Sequence, residues 1–390
     1  MTTTLPSPIT EAAALSVAGE GAQRYELGSA LIAAGADATV VLVEAGDHGP
    51  WREGVQDAAT VVLRGTPVTG LHPRFVHTAE LPIHAYVRLD GACLPLGRAV
   101  AARAETEPPA FAWVTLRLER PLGRALLDLV RPVPAPGPTP DVDWVDEVEA
   151  VPLRALESFA LGWFPARDPA RETARDTAHG AARDSARDSA RDSTREAPEL
   201  GPVPPALEAF HRLARLRPAL LEFTDPVLER PRRASGPLGG RLVFAEWHDG
   251  GMDWSVPWPP EGPAKADPRV WHTWHGEDPY GEPESGVEAE PLSRFLLQFT
   301  LYEAVNSAPY QAWTSNAPAA LLAPLLRLLR PVPLSPHLPA HYAVRFHVGP
   351  GLIAGVSGEG REALVTFGAL HRAVLTPLAD RGFEWRRFDG

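Results

Sequence analysis

Cysteine and lysine are almost missing from this chain: Cys93 and Lys265 are the sole examples of each among 390 residues. One cysteine excludes an intramolecular disulfide and fits a reducing compartment. Free cysteine is among the most buried residue types, so Cys93 is expected in a core and not at a reactive centre. Long apolar runs are missing too. A membrane-spanning helix needs ~18 or more consecutive apolar residues, and the most apolar stretch, near 319–329, is broken by Pro324 and Arg327. The first residues carry neither the basic region nor the apolar run of a secretory signal, and the expected location is the cytoplasm. Positive charge is short as well. A formal charge of −12 argues against unaided binding to a nucleic-acid backbone, which needs clustered Arg and Lys.

Proline and glycine are abundant, at 43 and 33 residues, which predicts many short elements joined by turns. A hydrophobic content of 44% supports real cores, and the length suits two domains of moderate size. A tetrapeptide repeat marks the division. Arg167, Arg171, Arg175, Arg183, Arg187, Arg191 and Arg195 recur every fourth residue, with His179 in the missing place. An Asp or Glu follows each arginine, so the segment is neutral and has no apolar face to bury. It reads as a flexible linker over 165–200, between an N-terminal domain (1–164) and a C-terminal domain (201–390).

Both halves read as α+β. In the first, strands are expected at 39–45, 60–65, 82–90 and 111–119, and helices at 22–35, 121–132 and 152–164. In the second, a helical pair at 204–216 and 217–228 precedes two tryptophan-rich strands. A clean amphipathic helix follows at 291–306, then strands at 341–349 and 352–358 and a helix at 367–380.

The templates for catalysis fail. The segment 358–364 lacks the glycines and the Lys-Ser/Thr pair of a phosphate-binding loop, and Glu359 stands where a nucleophile elbow around Ser357 needs glycine. No cofactor is implied. The most metal-like cluster is His272, His275, Glu277 and Asp278, with Asp249 or Asp253 as further ligands. On a strand, His272 and His275 point to opposite faces, a poor chelate, so a solvated loop is the preferred reading.

Charge and aromatics concentrate in one place. Trp247, Trp254, Trp258, Trp271 and Trp274 are five of the chain's 11 tryptophans. Residues 246–290 also hold 11 acids against Lys265 and Arg269. Apolar anchors inside a charged rim are the anatomy of a protein interface. Trp254 and Trp271, inside strand-like runs, are expected in the core. The candidate partner-binding residues are Trp247, Asp249, Asp253, Trp258, His272, Trp274, Glu277 and Asp278.

The order of segments in the second half is PPALEAF (204–210), LVFAEWHDGGMDWSV (242–256), DPRVW (267–271), LSRFLLQFTLYEAV (292–305) and RFHVGPGLI (345–353). In these segments the chain resembles the SUKH superfamily, known for immunity proteins of bacterial polymorphic toxins. It departs from the family pattern at Trp247-His248, Ser255 and Arg269. The resemblance implies a mixed sheet with helices packed mainly on one side. It also implies stoichiometric, non-catalytic binding of a protein partner, a basic toxin domain in the immunity setting. Two alternatives stay open: a catalytic N-terminal half with the second half as its targeting module, and a scaffold subunit of a larger assembly.

Overall fold

The structure, a computed structural model, describes residues 5–46, 53–68, 75, 81–105, 111–131, 139–166, 203–236, 239–247, 251–259, 266–275, 285–337, 343–358 and 362–390. The tetrad segment lies outside them. The chain is α+β and divides into two compact units at about residue 137.

In the N-terminal unit the strands are β1 (Gln23–Leu27), β2 (Ala30–Ala34), β3 (Thr39–Glu44), β4 (Gly54–Val55), β5 (Thr60–Val68), β6 (Ile83–Leu89), β7 (Ala92–Glu105) and β8 (Phe111–Leu118). They form one mixed sheet in the order β1-β2-β3-β6-β7-β8-β5-β4, parallel at β3–β6 and antiparallel elsewhere. β3 is buried on both faces, as its unbroken run of valine and leucine requires. Val41 and Val43 join the main core, while Val40 and Leu42 join a smaller one. The short helix α1 (Glu11–Ser16) supplies Ala14 and Leu15 to that smaller core, which also contains Cys93 at 1% exposure. Burial raises the Cys93 thiol pKa, which disfavours the reactive thiolate. A second helix, α2 (Arg124–Val130), covers part of the main core.

The helix expected over 22–35 is a hairpin instead. Gly28 takes φ +61° in the two-residue turn between β1 and β2, a conformation that stops a helix and suits a tight hairpin. The turn is held by the Glu53 carboxylate, which accepts from Ser29 N and Ala30 N at 2.8 Å each. Gly28 also lies against β5: a Cβ there would come within 2.1 Å of the Arg64 carbonyl oxygen, and one at Gly65 within 2.1 Å of Gly28 N. Two facing glycines thus let the sheet curl until its first hairpin touches β5.

The C-terminal unit begins earlier than the sequence suggests. A 3₁₀ turn at Asp143–Glu147 and the proline-opened helix α3 (Pro152–Trp163) place Trp144, Leu156, Phe159 and Trp163 in the same core as Leu207, Phe210 and Phe299. The boundary at 164 is therefore corrected to about 137, because the apolar face of α3 is buried against this second core. Helix α4 (Pro205–Leu216) follows as expected. The helix expected at 217–228 is only a 3₁₀ turn, Pro218–Leu221. Pro218 and Pro226 deny it amide donors, and the chain enters a strand at Val227.

Strands β9 (Val227–Gly236), β10 (Gly239–Glu246), β11 (Met252–Pro257), β12 (Arg269–Trp274) and β13 (Ser285–Pro291) form one sheet, ordered β13-β12-β11-β10-β9. Helix α5 (Leu292–Ser307) follows. The second sheet holds β14 (Tyr310–Pro318), β15 (Arg330–Pro331), β16 (Val344–Gly349), β17 (Leu352–Ser357), β18 (Glu362–Ala369) and β19 (Arg387–Phe388), ordered β15-β16-β17-β18-β14-β19. Helix α6 (Ala319–Leu326) and the short α7 (Arg372–Leu375) border it. Where the resemblance implied one mixed sheet, the described pairings in this unit give two antiparallel ones. The helix expected at 367–380 starts late because Phe367, Gly368 and Ala369 complete β18. A Cβ on Gly368 would meet the Val305 carbonyl at 2.7 Å, so α5 rests directly on this strand.

Helix α5 is not amphipathic. Twelve of its 16 residues are buried, Ser293, Gln298, Thr300 and Glu303 among them, because it packs against strands of both sheets and against α3 and α4. Its polar groups must then find partners inside the protein. The Asp267 carboxylate accepts from Ser293 N and Ser293 Oγ at 2.7 Å each, and Thr300 Oγ1 donates to the Leu296 carbonyl at 2.6 Å. The Glu303 side chain accepts from Thr224 N at 3.0 Å. Burial and the neighbouring charge of Asp225 push the Glu303 carboxyl well above its ordinary range.

Two expectations follow. Gly28→Ala should lose about 2–4 kcal/mol of stability in chemical denaturation, since the added methyl group meets a backbone carbonyl at a left-handed φ. With its pKa raised by burial and by Asp225, folded Glu303 holds its proton over a range above the ordinary glutamate value of 4.5 in which the unfolded chain has released it. Stability should therefore fall as pH rises from there through the raised folded pKa. Glu303→Gln should remove that decline, giving a higher melting temperature than wild type at neutral pH and a shrinking difference toward pH 4.5.

Candidate functional site

The sheet β9–β13 gathers the described members of the acidic, tryptophan-rich stretch, and its register sorts them onto two faces. Trp254 pairs with His272 across β11 and β12, and Asp253 pairs with Thr273 and with Glu246. Alternation puts Trp254, His272 and Glu288 on the face toward α5, and Asp253, Ser255, Trp271 and Thr273 on the opposite face.

On the inner face Trp254 is fully buried, its ring 5.3 Å from Phe299 and 6.2 Å from Phe295. The indole Nε1 donates to Glu288 Oε1 at 3.1 Å, and His272 Nδ1 lies 3.0 Å from the same oxygen. Burial alone would raise the Glu288 pKa. The His272 hydrogen bond, the nearby His337 and His272 charges and the Trp254 donor outweigh it, and the pKa falls below its ordinary value. His337 has no solvent exposure and sits between Phe295, Phe299 and Tyr302, at ring separations of 5.2–6.4 Å. Burial lowers its pKa to about 4, so the ring is neutral at pH 7.

On the outer face Asp253 is 1% exposed. His275 Nε2 lies 2.8 Å from its Oδ2, Arg232 Nη2 3.6 Å from that oxygen, and Arg241 Nη1 4.0 Å from Oδ1. Arg232 also donates to Glu246 at 2.8 and 3.0 Å, and Arg241 reaches Thr273 Oγ1. Sequence reasoning missed both arginines. They lie on β9 and β10 and come beside Asp253 through the pairing of β9, β10 and β11.

Several sequence expectations change. Asp253 is not a surface acid, because its carboxylate is enclosed by Arg232, Arg241 and His275. Trp258 is 8% exposed and belongs to the core, with the Arg233 guanidinium 6.0 Å from its ring. Trp271 is half-buried on the outer face and not beside Trp254. His272 is tied to Glu288, leaving it a structural partner. Trp247 and Trp274 are partly buried at the core margin, Trp247 lying 6.0 Å from the Trp254 ring. His272 and His275 point to different faces and serve different carboxylates, and no metal-holding group of three or more His, Cys, Asp or Glu occurs among the described residues. Asp249, Glu277 and Asp278 lie outside the described residues.

The acids divide in a telling way. Of the 11 in 246–290, five are described: Glu246, Asp253, Asp267, Glu288 and Glu290. All five are engaged internally, Glu290 with Arg294 at 2.8 Å and with Ser335 N at 2.6 Å. The net charge of the stretch is thus no measure of surface charge. The other six fall in 248–250, 260–265 and 276–284. The strand ends bounding the first and last of these segments are neighbours: Trp247 N donates to Met252 O at 2.8 Å, and His275 N to Gly251 O at 2.9 Å. The two segments that these neighbouring strand ends bound carry Asp249, Glu277, Asp278, Glu282 and Glu284 and no Arg or Lys.

The depressed Glu288 pKa has a direct consequence. Its ionised form stabilises the fold above the ordinary glutamate value of 4.5, and that contribution is lost as pH falls through the lower folded value. Glu288→Gln should lower the melting temperature at neutral pH by an amount that vanishes in acid, measured by thermal scans across pH. No helix among the described residues is long and apolar enough to cross a membrane. No family model, curated protein or solved structure matches the chain.

Proposed function

We propose that the C-terminal unit is a SUKH-like binding module that acts by stoichiometric occlusion of a basic protein surface, as a toxin-neutralising immunity protein does, and performs no chemistry itself. The observation that carries this reading is that neighbouring strand ends of the β9–β13 sheet bound two segments rich in acids. Trp247, Trp274 and His275 stand at those strand ends. The two segments hold five acids and no Arg or Lys, and the half-buried tryptophans at the strand ends that bound them supply contact area at low entropic cost. The acids inside the sheet hold its shape and are spent there, which leaves the loop acids for a partner. A toxin domain that acts on nucleic acid would present the basic complement, and electrostatic steering would speed its capture.

The test uses the full chain against basic proteins recovered with it from its host. Asp249→Lys, Glu277→Lys and Asp278→Lys together should slow association about tenfold or more and flatten its dependence on salt. The melting temperature should stay within a few degrees of wild type. Asp253 is left intact because its burial would confound binding with folding. A triple variant that binds the same partner at an unchanged rate removes this reading.

A further inference from the structure

A cavity of about 330 Å³ opens in the C-terminal unit, away from the β9–β13 sheet. Its walls come from the 3₁₀ turn Asp143–Glu147, helix α3 and the turn joining β16 to β17. Trp144, Phe159 and Trp163 form a continuous aromatic wall, with ring separations of 5.1 and 5.9 Å between successive members. Opposite lies the tight turn at Gly349 and Gly351, the latter at φ +66°. Asp141 and Asp143 belong to the lining and are exposed, Asp143 lying 4.0 Å from Arg330 Nη1. Glu147 also lines the cavity. Its Oε1 meets Arg154 Nε at 3.2 Å, whereas its Oε2 is buried and accepts no hydrogen bond among the described residues. A buried carboxylate oxygen without a donor is costly, and here it belongs to a residue that borders an empty space walled by aromatic rings.

We propose that this cavity is a binding site for a guanidinium or similar organic cation of about the size of arginine, with Glu147 as its anionic contact and the aromatic wall as its stacking surface. Each feature selects the same chemistry. Aromatic faces attract cations, guanidinium above all. The free oxygen of Glu147 supplies a charge-assisted acceptor, and Asp141 adds negative charge to the lining that favours a cation. The volume is at the lower end of the range for small-ligand sites, enough for one side chain or a free amino-acid-sized molecule and too small for a nucleotide. A free cation and the arginine side chain of a peptide share this chemistry. The chain's own tetrads are a source of the second kind, since Arg167 lies four residues beyond Trp163.

Titration of the full chain with arginine methyl ester, and separately with a synthetic Arg-Asp-Ser-Ala repeat peptide, should give saturable heat by calorimetry and a change in tryptophan fluorescence. Glu147→Gln should weaken both by about tenfold or more. Ser158→Trp, which adds bulk from an exposed position lining the cavity, should abolish them at an unchanged melting temperature. Tighter binding of the peptide than of the ester assigns the site to arginyl side chains, and the reverse assigns it to a free small cation. Absence of saturable binding by either probe overturns the proposal. So does binding that Glu147→Gln and Ser158→Trp both leave intact.

Discussion

Burial of α5 on every side is the constraint on which the C-terminal unit depends. A helix packed against one sheet keeps a polar face in water. This one packs against two sheets and two helices, so each polar group it carries needs a partner within the protein. Asp267 caps its start from the loop before β12, and Glu303 ties its last turns to the Thr224 amide. Gln298 reaches the Ser335 carbonyl. These clips come from different parts of the chain. The helix therefore fixes where the segments before β9, before β12 and after β15 must lie, and the two sheets take their positions from it.

The same constraint explains where the negative charge goes. A carboxylate inside a protein survives by being paired or by being protonated, and this unit uses both. Donors from Trp254 and His272 hold the Glu288 pKa down, Glu290 pairs with Arg294 and a backbone amide, and burial beside Asp225 raises the Glu303 pKa. An acid count over 246–290 cannot separate these uses from surface charge. The register makes that separation for the five described acids, each of which has an internal partner.

Much of the fold was legible. β3, β6, β8, α3 and α4 follow from apolar periodicity and from prolines placed at helix starts, because each buries its pattern in the ordinary way. The failures share a cause, which is that local sequence does not reveal what packs on the far side. Residues 22–35 have helical spacing, but Gly28 must approach Gly65 and turns the segment into a hairpin. Phe367 to Ala369 read as a helix start until Gly368 is seen against the backbone of α5. The amphipathic reading of α5 fails because its polar residues Ser293, Gln298, Thr300 and Glu303 are buried, with partners as many as 79 residues away. Of the candidate site residues, the core role of Trp258 and the enclosure of Asp253 were equally hidden, since Arg232 and Arg241 meet Asp253 only after β9, β10 and β11 pair.

This bears on what the SUKH resemblance is able to report. DPRVW and LSRFLLQFTLYEAV, two of the segments that carry it, are joined physically: Asp267 of the first caps Ser293 of the second, and Glu303 near the end of the second is buried. A pattern made of such clips describes how a helix is locked between sheets. Partner choice would then rest on residues that the pattern does not constrain, and those are the acids of 248–250 and 276–284. The departures at Trp247-His248, at the root of the first of these segments, fall where a binding surface changes at least cost to the core. Under the proposed binding role, fold and specificity would sit on separate residues of the stretch 242–305, and a resemblance carried by the first kind would leave the partner to the second.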